Sequence, residues 1–133
     1  MTSNSGQVFP VEQNTKFILP FEWDWSNQDT SIKAPLQAHL NPQTGMVFVE
    51  GAIIKATKVK DQELISTFPP ELRPALIHST GRFEISQGRS RFCRYQLYPD
   101  GRLLITGGGL DKGKPIDQAY IVLVYNLNNG VTS

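Results

Sequence analysis

The side chains that most often do chemistry are scarce in this sequence. Histidine occurs as His39 and His78, and cysteine as Cys93 alone. Each histidine lies in a strand-like stretch with no Asp, Glu or Cys at ligand spacing, so neither begins a zinc site. Ser79 and Thr80 follow His78 directly. Neighbours along a strand point to opposite faces, which parts the hydroxyl from the imidazole that would activate it. Glu50 and Glu84 fall in separate segments and do not read as an acid and base pair. Asp100 sits in the turn Pro99-Asp100-Gly101, where Asp serves the backbone. "GGGLDKGK" (107–114) has the glycines of a phosphate loop without its spacing, because Lys114 precedes Pro115 rather than Ser or Thr. Cys93, within "SRFCRYQL", alternates as a strand residue does and reads as a buried structural thiol. Tyr95, Tyr98, Trp23 and Trp25 have faces suited to stacking on sugars, although strand aromatics more often fill cores. No catalytic centre emerges and no metal or cofactor is called for, so a binding or structural role is expected rather than an enzyme.

The 133 residues suffice for one domain with a core of its own. A net charge of +1, from 13 basic and 12 acidic residues, argues against nucleic acid as a partner. No apolar run approaches the ~20 residues of a membrane helix. The opening "MTSNSGQVFPVEQ" has neither the basic start nor the apolar stretch of a secretory signal, so synthesis in a cytoplasm without membrane insertion is expected. Charge is uneven along the chain. Residues 1–31 carry Lys16 against Glu12, Glu22, Asp24 and Asp29, a net of −3. Residues 82–102 carry Arg82, Arg89, Arg91, Arg94 and Arg102 against Glu84 and Asp100, a net of +3. An acidic leader and an arginine-rich middle are suited to meet within one chain or between chains.

Two regions differ in pattern. Residues 1–31 are polar, with apolar islands at 8–11, 17–21 and 23–25, interrupted by Pro10 and Pro20. They show no helical period and read as an extended arm. From residue 32 short strands alternate with turns. "PLQAHL" (35–40) meets the turn "NPQTG" (41–45), and "MVFVEGAIIKA" (46–56) follows, with Gly51 breaking the alternation as a bulge or a close approach would. "TKVKDQE" (57–63) reads as a charged loop and "LISTF" (64–68) as a strand. "ALIHSTGRFEIS" (75–86) and "SRFCRYQLY" (90–98) alternate again, and "PDG" (99–101) is a hairpin turn returning through "RLLIT" (102–106). "AYIVLVYNL" (119–127) is apolar on both faces: Ile121, Leu123 and Tyr125 on one, Tyr120, Val122 and Val124 on the other. One face suits a core and the second a subunit contact. Strands at this spacing without a helix indicate an all-β, antiparallel β-sandwich, jelly-roll-like, over 32–133, preceded by the arm at 1–31.

The stretch "STFPPELRPA" (66–75) places Pro69, Pro70 and Pro74 between two strand-like runs, where proline would deny a central strand its ladder bonds. The order of segments around it resembles the head domain of bacteriophage tail fibres and receptor-binding proteins. Such domains carry a "V-x-V-x-G" strand, a "TLPxxxRP" segment, an "I-x-x-DG-x-L" hairpin and a closing strand. The matching residues here are Val47, Val49 and Gly51; Thr67, Phe68, Pro69, Arg73 and Pro74; Asp100, Gly101 and Leu103; the likeness spans about 35–127. Phe68 stands where leucine is usual, and the closing strand lacks the Trp that often opens it. The resemblance implies a β-sandwich assembled as a homotrimer, with Pro69, Pro70, Arg73 and Pro74 as an architectural crossover from one sheet to the other. Arg73, ahead of Pro74, is expected to be extended.

Two virion roles follow from the resemblance. One is a capsid decoration or cement protein on the outside of the head, tied to the major capsid protein or other virion proteins through its N-terminal arms. The other is a fibre-tip or baseplate protein binding a host-surface saccharide. No heptad, collagen or β-helix repeat supplies a shaft, which favours the first. Phe17, Ile18, Leu19, Phe21, Trp23 and Trp25 are the candidate docking anchors. Tyr120, Val122, Val124, Arg91 and Arg94 are the candidate trimer contacts. A cellular carbohydrate-binding sandwich is a third reading.

Overall fold

The computed structural model describes residues 14–27, 35–55, 57, 62–86, 89–106 and 116–128. The apolar island at 8–11, residues 87–88 between two strand-like segments, and the glycine-rich stretch at 107–115 lie outside the described residues. Nine strands are present among them: β1 (Thr15–Ile18), β2 (Trp25–Asn27), β3 (Gln37–Asn41), β4 (Met46–Lys55), β5 (Gln62–Thr67), β6 (His78–Ser86), β7 (Arg89–Leu97), β8 (Arg102–Thr106) and β9 (Ile116–Asn126). All pairings are antiparallel. β1, β3, β4 and β9 form one array, with β2 sharing the β3 edge of β4, and β6, β7, β8 and β5 form the other. The arrays touch in the ladder only at Ile85 and Gln118, where β6 meets β9.

Alternation sets the core. In β4 every second residue from Val47 to Lys55 is buried. In β9 the buried set is Ala119, Ile121, Leu123 and Tyr125. These pack against Cys93, Tyr95 and Leu97 of β7, Leu103 and Ile105 of β8, and Ile65 of β5, making one sandwich interior. Gly51 keeps the inward register rather than breaking it. It is needed for close approach, since a Cβ there would lie 2.7 Å from the Leu36 Cα.

Residues 14–27 are part of this sandwich. β1 pairs with β3, and β2 with the end of β4. Between them the Leu19 amide donates to the Leu36 carbonyl and the Glu22 amide to the Ile65 carbonyl, so the segment touches both arrays. Leu19 and Trp25 are buried in the core, with Phe17 and Phe21 packed against it. The described part of the expected arm is therefore woven into the domain. Gln62 and Glu63, expected in a loop, open β5.

The proline segment does not pass from one array to the other. It joins β5 to β6, the two outer strands of a single array, over the end of the sandwich. Pro69 is extended, Pro70–Leu72 makes one 3₁₀ turn, and Arg73 is extended ahead of Pro74. The segment docks on the β7–β8 turn: the Phe68 amide donates to the Gly101 carbonyl, and Arg73 Nε donates to the Phe68 carbonyl at 3.0 Å. Gly101 has φ +96°, and a Cβ there would lie 2.5 Å from the Phe68 carbonyl oxygen. The proline stretch and the Asp-Gly turn thus form one contact. Tyr125 of the opposite array closes it by donating to the Leu72 carbonyl.

Candidate functional site

Two surfaces stand out on the outside of the sandwich. The first is the outer face of β3, β4 and β9. The ladder sets His39 opposite Phe48, Gln37 opposite Glu50, Phe48 opposite Val124 and Ala52 opposite Tyr120. At one end lies a groove of about 410 Å³, lined by Asn14, His39, Asn41, Phe48, Glu50 and Val124 among others. His39 Nε2 lies 3.2 Å from Glu50 Oε2, and the His39 ring stacks on Phe48 with centroids 6.1 Å apart. Gln37 Nε2 donates to the same carboxylate oxygen at 3.4 Å. An imidazole, a carboxylate and amides beside an aromatic face can bind hydroxyl-rich ligands: polar groups read hydroxyls and the ring takes C–H surface. The pair offers no third ligand for a metal, and no cluster of three His, Cys, Asp or Glu occurs among the described residues.

Beside the groove runs an apolar strip of Met46, Phe48, Tyr120 and Val124, all substantially exposed, with Val122 half-buried between them. Tyr120, Val122 and Val124 thus lie together, facing out. Arg91 and Arg94, grouped with them from the sequence, do not join the strip, because they belong to β7, which β6 separates from β9.

The second surface is the outer face of β6 and β7. Phe83 and Phe92 are cross-strand partners with rings at 69° and centroids 5.4 Å apart. The Arg94 guanidinium lies 5.7 Å from the Phe92 centroid.

The other sequence candidates are placed as follows. Of the six anchors, Leu19 and Trp25 are consumed by the chain's own core, Phe17 and Phe21 lean on it, and Ile18 (61% exposed) and Trp23 (47%) face outward. Cys93 is buried, and burial pushes its thiol up to about 11, as befits an inert core residue. Tyr95 is fully buried, its hydroxyl donating to Glu84. Tyr98 carries the Arg102 guanidinium over its ring at 4.8 Å. The His78 ring lies tilted against Tyr125, with centroids 5.4 Å apart, and partial burial holds its pKa below the ordinary histidine value. Glu50 and Glu84 stay apart: one borders the groove and the other is buried. The groove itself was missed from the sequence. Its signal is the pairing of His39 with Phe48 and Gln37 with Glu50, which exists only once the β3–β4 register is known.

No protein-family model matches this chain, and no curated protein matches it. Among solved structures the chain is similar to the head domain of phage bIL170, described among the receptor-binding domains of lactococcal phages. The likeness has a TM-score of 0.60 at 18% identity and covers 86% of this chain and 99% of that one. It establishes the fold. The expected capsid-decoration role gains no support from it, and the docking anchors that motivated that role are in large part internal.

Proposed function

We propose that this chain is a non-enzymatic head domain of a phage adsorption protein, carried on the virion surface, that binds a saccharide of the host surface. One observation carries the reading: a fold shared with a phage receptor-binding head domain over nearly the whole of that domain. The groove at His39, Phe48 and Glu50 is where we place the saccharide, for its mixed polar and aromatic lining. The strip of Met46, Phe48, Tyr120, Val122 and Val124 is where we place the contact between copies in a homotrimer. Met46, Phe48 and Val124 belong to both, so in such a trimer the groove would lie at the seam between subunits.

Three measurements test these statements. Purified chain, mixed with cells of the host, is expected to block adsorption of the virions that carry it, and Glu50→Gln with Phe48→Ala is expected to abolish the block. Unhindered adsorption in the presence of folded wild-type chain would end the receptor reading. Immunogold labelling of virions is expected at the tail end; gold spread over the head would restore the decoration role. Light scattering at micromolar concentration is expected to give a trimer mass, and a monomer mass would remove the assigned strip contact.

A further inference from the structure

Phe83 and Phe92 are not held as core aromatics are. They lie side by side on the outside of the β6–β7 ladder, 66% and 42% exposed. A cross-strand aromatic pair steadies a ladder by up to ~1 kcal/mol, but that role does not need the rings to remain uncovered. The Phe92 ring has a defined seat. The tip of the Phe92 ring occupies the place of a missing side chain, since a Cβ on Gly81 would fall 2.4 Å from its Cζ. Gly81 pairs with Arg94 across the ladder, which brings the guanidinium to the same ring. Arg94 has no carboxylate partner among the described residues, unlike Arg82 with Glu84 and Arg102 with Asp100. Glu84, the nearest acid on these strands, is turned inward and buried. The flanking Ser79 and Ser90 are exposed and supply hydroxyls. The outer face therefore holds two exposed rings, a guanidinium with no carboxylate partner among the described residues, and no described acid, within a segment whose net charge is +3.

The geometry points to a second binding site, on Phe83, Phe92 and Arg94, for an acidic saccharide, one bearing phosphate, sulfate or carboxylate groups. Pyranose C–H groups pack on the electron-rich face of an aromatic ring, and a guanidinium binds anionic oxygens through charge-assisted, paired hydrogen bonds. Charge selects this occupant over a neutral glycan: a neutral sugar would leave Arg94 without a counter-charge. The site rests on the receptor reading for its purpose, yet its chemistry is testable without it.

The test uses the intact chain and a matched pair of probes, dextran sulfate and unmodified dextran of equal length, titrated by calorimetry. Dextran sulfate is expected to bind, and unmodified dextran at least about tenfold more weakly, a difference of about 1.4 kcal/mol. Phe92→Ala, which changes no charge, is expected to weaken dextran sulfate about tenfold, as is Arg94→Ala. Arg102→Ala, removing an exposed arginine elsewhere, is expected to stay within about twofold. If Phe92→Ala disturbs folding, Phe92→Leu keeps bulk without an aromatic face and is expected to lose the same affinity. Equal binding of the two dextrans, or equal losses at Arg94 and Arg102, would overturn the site. So would a lower mass in solution for Phe83→Ala with Phe92→Ala, which would make the patch a contact between copies. Virion adsorption separates the two readings. If Phe92→Ala blocks adsorption as well as wild type does, the patch has no part in receptor binding and the receptor reading stands. If wild type itself blocks nothing, the receptor reading fails while the dextran result still decides the patch.

Discussion

Two buried carboxylates tie the sandwich together, and they are stabilised in opposite ways. Glu63, on β5, meets the Lys55 ammonium of β4 at 2.5 Å, with both side chains almost fully buried. Lys55 also donates to the Trp23 carbonyl at 2.6 Å and lies 5.9 Å from the centre of the Trp25 ring. A full charge pair thus links the two arrays and the segment at 14–27. Glu84, on β6, instead takes the Tyr95 hydroxyl from β7 and the Tyr120 amide from β9 at 3.0 Å. Its cation, Arg82, is partly exposed and sits 3.3 Å away. At this second seam burial outweighs the favourable partners and raises the Glu84 pKa above the ordinary carboxylate value. One seam depends on charge and the other on neutral donors. The same residue type therefore responds differently to loss of a partner.

The largest effect is expected at the ionic seam. Lys55→Met removes the cation while keeping most of its stem, and should cost about 3–5 kcal/mol in urea denaturation because it takes the ammonium from a buried carboxylate. Adding Glu63→Leu should recover much of that loss; no recovery would mean that the Lys55 contacts to Trp23 and Trp25 matter more than the charge pair. Tyr95→Phe strikes the neutral seam and should cost about 1–3 kcal/mol, since Glu84 then loses a donor inside the protein. A smaller effect tests the sign of the pKa shift. A raised folded-state value means that the Glu84 contribution is full below the unfolded carboxylate's pKa. It is lost as pH rises through the raised value. Wild-type stability relative to Glu84→Gln should therefore decline with rising pH across that window, followed by denaturation midpoints at stepped pH. A rising difference would show that the neutral donors and Arg82 outweigh burial. Arg82→Ala should matter least, below about 1 kcal/mol, because its side chain is partly in solvent.

What the sequence reveals follows from what is local. Alternation ahead of Gly51 and along 119–126 marks the inward faces correctly, and Pro99-Asp100-Gly101 specifies its turn through its own backbone demands. Cys93 and Tyr95 fall inward as the strand period requires. The misreadings concern contacts that join distant positions. Leu19 and Trp25 enter the core and Phe17 and Phe21 pack against it, but Pro20 and the outward Ile18 and Trp23 interrupt their spacing, and the strands they flank are only four and three residues long. Lys55 and Glu63 read separately as a strand end and a loop acid; only their meeting makes them a core pair. The proline segment shows that the chain must leave the ladder, but its destination depends on Gly101, about thirty residues further on. The groove at His39 and Glu50 is invisible for the same reason, and the Phe83–Phe92 pair emerges only with the β6–β7 register.

The weaving of residues 14–27 also determines how the domain bears load. Tension applied at Asn14 does not reach a loose tether. It meets the β1–β3 ladder first, then the Leu19–Leu36 bond, then the Glu22–Ile65 bond on the opposite array, then β2 on β4. The attachments fall on β3, on Leu36 just ahead of it, on β5 and on β4, and Trp25 must leave the interior before the last one yields. A pull at this end is spread over both halves of the sandwich in series, so early stretching should extend the chain in small steps while the outer faces of β4, β6, β7 and β9 keep their shape.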